Sequence, residues 1–164
     1  MRCYSMDYVA ALNNGVDTNG TLISAATVRP SIYFFTIGTT GTPADSAVIW
    51  IWQRCTAAGT VTAVTPQALD PGDPASLSSG GENATVEPTY TANAILFNLG
   101  LNARATYNWW AQDGRGLKCP ATAAAGLGLL PTHASATVAT AITQHFAESF
   151  LLAMTLLSSL SAMV

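Results

Sequence analysis

The sequence predicts an all-β fold, an antiparallel jelly roll or β-sandwich of about eight strands, followed by a short helical or extended C-terminal tail. Short stretches rich in aromatic and β-branched residues recur along the chain, and Gly, Pro and Asn turn signals separate them. No internal segment shows sustained helical periodicity. Short strands of this kind must bury one face and hide their edges, which two packed sheets accomplish.

Length and composition indicate one folded, weakly charged domain. The chain has 164 residues, enough for a single core. Hydrophobic residues make up 49 %, but 28 of them are alanine, and charged residues make up 9 % against a usual share of about 25 %. The net charge is −3 and the six basic residues form no cluster, so we expect no nucleic-acid partner, because phosphate binding requires clustered cations.

Strands in the first half of the chain are predicted from alternation and from turn residues. Tyr4, Met6 and Tyr8 alternate with smaller or polar residues, which is typical of a half-buried strand. Asn-rich turns follow, and Gly, Thr and Pro separate the next two strands. The predicted strands here are 3–8, 21–26, 31–37 and 47–53. Both faces of the 47–53 strand are apolar, so we expect it deep in the sandwich or against another subunit.

The second half begins with a segment that reads as a loop. Prolines and a Ser-Ser-Gly-Gly run predict a long exposed connection over 54–83. Asp113-Gly114 is a hairpin signal, and 117–120 is expected to pair across it. Residues 126–131 are interpreted as irregular. The remaining predicted strands are 84–90, 94–101, 104–112 and 135–147.

The chain divides into a predicted jelly-roll domain, 1–148, and an uncharged apolar tail, 149–164. On a helical wheel one broad face of the tail is apolar and includes Phe150, Leu152, Leu156 and Leu160. A membrane span is disfavoured because it needs roughly 20 apolar residues and flanking cations. The tail either packs on its own sandwich or docks on another subunit, and we expect the second.

The sequence shows no catalytic constellation. His133 and His145 have no carboxylate or cysteine at the spacing of a metal site or catalytic triad. Glu82 and Glu87 cannot be assigned as an acid–base pair without spatial information. We therefore expect a protein that is not an enzyme and needs no cofactor.

Metal and disulfide chemistry are also disfavoured. Asp70 and Asp73 lie beside Pro and Gly in ordinary turn chemistry and lack the spacing of a calcium loop. Cys3, Cys55 and Cys119 are odd in number and form no CxxC motif. The N-terminus lacks the apolar core of a signal peptide, so we expect synthesis in a reducing cytoplasm.

The four tryptophans are the most distinctive candidate site residues. Trp50 and Trp52 share one strand face, whereas the adjacent Trp109 and Trp110 point to opposite faces. Tryptophan is favoured both in cores and in protein interfaces, so we interpret this set as core plus inter-subunit contact. A sugar-stacking platform is the alternative.

Five segments together give the chain a resemblance to a known group, which spans roughly residues 1–148. It resembles small β-rich proteins encoded in the structural modules of tailed bacteriophages and prophages. The segments that carry this resemblance are Thr65-Pro66-Gln67-Ala68-Leu69-Asp70-Pro71-Gly72-Asp73, Arg29-Pro30, Trp52-Gln53-Arg54, Arg104-Ala105-Thr106-Tyr107-Asn108-Trp109-Trp110 and Cys119-Pro120-Ala121-Thr122-Ala123.

The resemblance implies a virion component, a jelly-roll capsid cement or decoration protein. Such a protein forms a homotrimer and clamps neighbouring major capsid proteins of the HK97-like fold on the capsid surface. Its interface is then expected to use the tryptophans and the apolar tail, with no membrane partner. The alternative function is a carbohydrate-binding module of a phage tail, fibre or cell-surface protein.

Overall fold

The computed structural model describes residues 1–9, 11–12, 18–133 and 138–150, and these form two antiparallel sheets. No helix occurs among them. The strands of the described residues are β1 (Arg2–Tyr8), β2 (Ala11–Leu12), β3 (Gly20–Ile23), β4 (Val28–Thr39), β5 (Ala47–Ala57), β6 (Thr60–Val64), β7 (Gln67–Ala68), β8 (Ser79–Val86), β9 (Thr89–Asn102), β10 (Tyr107–Trp110), β11 (Leu117–Lys118), β12 (Gly126–His133) and β13 (Val138–Phe150).

Sheet I has the strand order β10-β4-β13-β1-β7, with β11 paired to β4 and β2 paired to β13. Sheet II has the order β6-β8-β3-β12-β5-β9. Many neighbouring strands are distant in sequence, so the chain crosses between the sheets repeatedly. The all-β sandwich predicted from the sequence is confirmed.

The core lies between the sheets and is built by strict alternation. Tyr4, Met6 and Tyr8 of β1 all point inward and are buried, as the sequence predicted. From sheet II, Trp50 and Trp52 point inward against them, and the Trp52 ring lies 5.9 Å from that of Phe35 in sheet I. Burying such large side chains contributes about 1.5–3 kcal/mol each, so this layer is the main source of stability.

The expected loop at 54–83 is wrong in part, because β5 continues to Ala57 and β6, β7 and most of β8 lie within it. The glycines of the Ser-Ser-Gly-Gly run are strand residues under close contact. A Cβ at Gly80 would lie 2.1 Å from the Met6 Cε atom, and one at Gly81 would lie 2.3 Å from Val61 Cγ2. Glycine is required here by crowding between packed strands and does not mark a turn.

The interpretation of 126–131 as irregular is also wrong. This segment belongs to β12, which lies between β3 and β5 in the interior of sheet II. Leu127 and Leu129 are fully buried, and Gly128 leaves room for the Tyr90 side chain on the opposite face. Along this segment these two leucines therefore point into the core, and the glycines lie on the opposite face, where neighbouring residues leave no room for a side chain.

Asp113-Gly114 forms a turn, with Gly114 at φ 71°, but not the expected hairpin. The segments on its two sides, β10 and β11, do not pair with each other. Both pair with β4, at successive positions along the same strand. The turn therefore lets the chain leave the edge of β4 and return to it.

The last described strand extends slightly past the expected domain boundary. Glu148 pairs with Pro30, and the ladder continues through Ser149 to Phe150 opposite Val28. Phe150 is thus a strand residue of sheet I. The predicted tail positions Leu152, Leu156 and Leu160 lie outside the described residues, as do the expected turn residues 13–15.

Candidate interface on the outer face of sheet I

Three strands place a row of aromatic side chains on the outer face of sheet I. Trp110 of β10 pairs with Phe34 of β4, and Phe34 pairs with His145 of β13. Directly opposed residues in antiparallel strands share a face, so the three rings lie side by side. We call Trp110, Phe34 and His145 the aromatic row.

The rings of the aromatic row are in contact. The Phe34 centroid lies 4.2 Å from that of Trp110 and 4.9 Å from that of His145. Trp110 is 65 % exposed, whereas Phe34 and His145 are half-buried. An indole this exposed leaves a large apolar surface in water, which is typical of a binding surface.

A β-bulge adds a further ring to this face. The register between β4 and β13 shifts between His145 and Phe146, so Tyr33 has no direct partner, and its ring lies 6.1 Å from His145. Burial, together with the neighbouring Cys3 thiol, raises the pKa of Tyr33 to about 12. Burial also lowers the pKa of His145, while Asp7 partly opposes this change. Both side chains therefore present neutral rings near pH 7.

A shallow cleft of about 360 Å³ lies beside the aromatic row on the same face. Tyr33 lines it together with Ser31, and the turn after β10 contributes Asp113. Gln112 and Lys118 supply further hydrogen-bonding groups. An exposed ring next to several polar side chains can bind either a protein surface or a sugar.

The four tryptophans that the sequence offers as candidate site residues occupy three different environments. Trp50 and Trp52 are 1 % and 0 % exposed in the core, so a partner could not touch them without opening the sandwich. Trp109 points inward at the edge, half-buried, with its ring stacked 5.1 Å from Phe35. Among the four, only Trp110 is exposed.

Glu82 and Glu87, the two carboxylates considered as an acid–base pair, both accept hydrogen bonds from backbone groups. Glu87 accepts hydrogen bonds from the Thr18 backbone N–H, at 3.0 Å, and from its hydroxyl, at 2.6 Å, and that hydroxyl also bonds the Tyr90 hydroxyl. Glu82 accepts a 2.8 Å bond from the Val9 N–H. Both carboxylates thus satisfy backbone donors of neighbouring segments.

The other chemical candidates have similar roles. Asp70 Oδ1 accepts a hydrogen bond from Gly72 N at 2.9 Å, which is the turn chemistry expected from the sequence. Burial raises the pKa of Cys55 to about 11 and that of Cys119 to about 12. Among the described residues, no group of three or more His, Cys, Asp or Glu side chains is placed to hold a metal ion.

The sequence did not identify Phe34 and His145 as site residues. Phe34 adjoins Phe35 on β4, so only one of the two can face the core, and this was a usable signal. The position of His145 opposite Phe34 depends on the β4–β13 register, and no local pattern contains that information.

No family model, curated protein or solved structure matches this chain. In the part of the chain that the structure describes, no helix has the length and apolar character needed to cross a bilayer.

Proposed function

We propose that this protein is a structural component of a phage virion, a capsid cement or decoration protein that binds the shell of an HK97-like major capsid protein. The observation that carries the proposal is the aromatic row on the outer face of sheet I, in which the Trp110 ring is exposed. Residues of this kind dominate binding energy when a partner buries them. A durable contact needs roughly 1,200 Å² of buried surface, and a sheet face with an adjoining cleft suits that requirement.

The low charge of the chain supports a role in adhesion. Only 9 % of the residues are charged, so covering such a surface desolvates few ions. The residues beside the aromatic row follow this trend, since Thr36 pairs with Asn108 and with Thr143 across the same sheet. We propose that the protein attaches as a homotrimer and stabilises the shell by this contact, without chemistry of its own.

Co-sedimentation with empty shells of HK97-like major capsid proteins tests the proposal. We expect the wild-type protein to sediment with a shell and Trp110→Ala to lose at least tenfold in affinity. Val86→Ala is the matched control, because Val86 is also exposed but lies in sheet II. Failure of the wild type to bind any shell would contradict the shell proposal, and equal losses for the two variants would contradict the assigned face.

Light scattering in solution tests the trimer separately. One chain is 17.0 kDa, so a homotrimer has a mass of about 51 kDa, and an assembly of several trimers has a multiple of that mass. A monomer or a dimer would contradict the trimer but leave the shell contact intact.

Carbohydrate binding is the second candidate, favoured by the polar side chains in the cleft that begins at Ala111, the residue after Trp110. A sugar ring stacked on the indole would have Asp113 and Lys118 within the adjoining cleft for its hydroxyl groups. A glycan array separates the two functions. If the protein binds sugar, at least one glycan should bind the wild type and should bind both Trp110→Ala and Asp113→Asn more weakly. Shell binding is expected to be much less sensitive to Asp113→Asn.

A further inference from the structure

In the described part of the chain, one side of the long edge strand β9 has no neighbouring strand. Within the described ranges β9 pairs with β5 alone. It is 14 residues long, whereas the other strands at the sheet edges, β2, β6, β7, β10 and β11, have 2, 5, 2, 4 and 2 residues. Short edges protect a sheet from pairing with another chain, and β9 lacks that protection.

The composition of β9 also offers no protection. The strand Thr89–Asn102 contains no charged residue and no proline, the two devices that usually block an edge. Its register with β5 is irregular near Gln53 and Cys55, but it is regular from Phe97 to Asn102. A stretch of six residues is therefore straight enough to accept another strand.

The hydrogen-bonding groups that face outward can be assigned from the ladder. The Ala103 N–H donates to the Ser46 carbonyl at 2.8 Å, towards β5. Backbone groups alternate in direction along an antiparallel strand, so those of Asn98 and Gly100 point away from β5. A Cβ built at Gly100 meets no atom within 4 Å, so the outer face of sheet II is open beside this edge.

The inward side chains of the same stretch are incompletely covered. Phe97, Leu99 and Leu101 lie opposite the buried Trp52, Trp50 and Val48 and therefore share their face, but they are only half-buried, because the sandwich ends at this strand. Tyr107 and Trp109 of β10 lie on the same open side, with ring centroids 6.2 Å and 5.9 Å from that of Phe97. A further strand on β9 would complete this burial.

We propose that the free edge of β9 pairs antiparallel with the same edge of a second copy of the chain, about a two-fold axis at Leu99. Asn98 then exchanges both backbone hydrogen bonds with Gly100 of the second copy. Leu99 faces its own equivalent, and Phe97 faces Leu101, so apolar side chains meet across the contact.

A second copy is favoured as the occupant because the edge is complementary to itself. The stretch is neutral, so self-pairing brings no like charges together. The axis at Leu99 also places the side chain of Asn98 opposite a glycine, which gives it room. Trp109, expected from the sequence to lie at an interface, borders this contact.

This contact goes beyond the proposed function and does not depend on it. A two-fold contact joins copies in pairs, so in a homotrimer it would link one trimer to another. The number of chains in the particle separates the two proposals. A dimer supports β9 pairing and contradicts the trimer, a hexamer supports both, and a lone trimer contradicts β9 pairing.

The decisive experiment is light scattering of the full chain and two variants of Gly100. Gly100→Pro removes the outward N–H, which makes no bond to β5, and proline is tolerated at such edge positions. Gly100→Ala keeps that N–H and is the matched control. We expect the wild type and Gly100→Ala to have the same even number of chains and Gly100→Pro to have half that number.

A wild-type monomer, an odd number of chains, or an unchanged mass in Gly100→Pro would overturn the proposal. If circular dichroism shows that Gly100→Pro is unfolded, Asn98→Lys decides, with Asn98→Gln as its control. Paired strands hold the two introduced lysines about 7–8 Å apart as diagonal neighbours. The dissociation constant of Asn98→Lys should then fall at least tenfold as the salt concentration rises from 0.05 to about 0.5 M, because salt screens the repulsion between the two lysines. A mass that the lysine does not change would overturn the pairing.

Discussion

Removal of the Glu148 carboxylate is expected to destabilise the sandwich strongly. Glu148 lies in β13 and is 1 % exposed. Its Oε1 atom accepts hydrogen bonds from the Ser76 hydroxyl at 2.6 Å, the Leu77 N–H at 3.0 Å and the Ser78 N–H at 2.8 Å. One carboxylate oxygen thus ties sheet I to the segment that leads into β8 of sheet II.

The size of the effect follows from these three bonds. A hydrogen bond to a charged group contributes about 1.5–3 kcal/mol, and a buried donor left without an acceptor costs about 1–3 kcal/mol. Glu148→Gln keeps the volume and one acceptor oxygen but loses the charge, so we expect a loss of about 2 kcal/mol. Glu148→Ala leaves the Leu77 N–H without an acceptor and the Ser78 N–H with only the Ser76 hydroxyl oxygen, at 3.1 Å, and we expect about 4 kcal/mol.

Urea denaturation measures both variants, with the free energy of unfolding extrapolated to water. Asp70→Ala is the control, because Asp70 is an exposed carboxylate with one backbone bond, and we expect a loss below about 1 kcal/mol. The denaturant slope should stay constant across the series. If Glu148→Ala loses no more stability than Asp70→Ala, the bonds at Oε1 do not hold the two sheets together.

Three further predictions concern groups that are buried or half-buried. Gly128→Ala places a Cβ 2.3 Å from the Tyr90 hydroxyl oxygen, so we expect a loss of about 1–3 kcal/mol in chemical denaturation, and a neutral result would contradict that contact. Burial lowers the pKa of His145 in the folded protein. As the pH drops through the ordinary histidine pKa of about 6.5, the unfolded state therefore binds more protons than the folded state. Stability should therefore fall as pH drops through that value, and the fall in melting temperature from pH 7.5 to 5.5 should be smaller in His145→Gln; equal falls would refute it. Burial raises the pKa of Cys55 to about 11 and of Cys119 to about 12, so both thiols should react with a disulfide reagent at pH 8 only as fast as the protein unfolds. Rapid labelling of either native thiol, located by mass spectrometry, would contradict their burial.

The fold class was predictable because alternation is a local property. The alternation of Tyr4, Met6 and Tyr8 with smaller or polar residues assigns all three to one face, and no information about distant strands is needed to predict it. The role of several glycines was not predictable, because it depends on distant parts of the chain. Gly80 and Gly128 have ordinary strand conformations, and what requires them is a side chain from a distant strand. Such crowding is not visible in the neighbouring sequence.

The candidate site was predictable only in part. Alternation placed Trp50 and Trp52 on one face, but cores and interfaces favour the same residue type, so the choice between them needed the second sheet. Trp110 was identified as one of two adjacent tryptophans on opposite faces. The aromatic row itself depends on the pairing of β10, β4 and β13, whose members are far apart in the sequence.

Low charge gives the two proposed surfaces a common physical basis. The net charge of −3 over 164 residues produces little long-range repulsion between copies, so nothing electrostatic opposes close approach. Neutral polar groups such as Asn98 can recover their hydrogen bonds in an added strand, whereas a buried charge would need a partner. Association is then decided by apolar contact at Trp110 and Leu99 and should depend weakly on salt. Strong salt dependence of wild-type self-assembly would show that ion pairs, and not the β9 edge, hold the copies together. The same result for shell binding would contradict an apolar contact at Trp110.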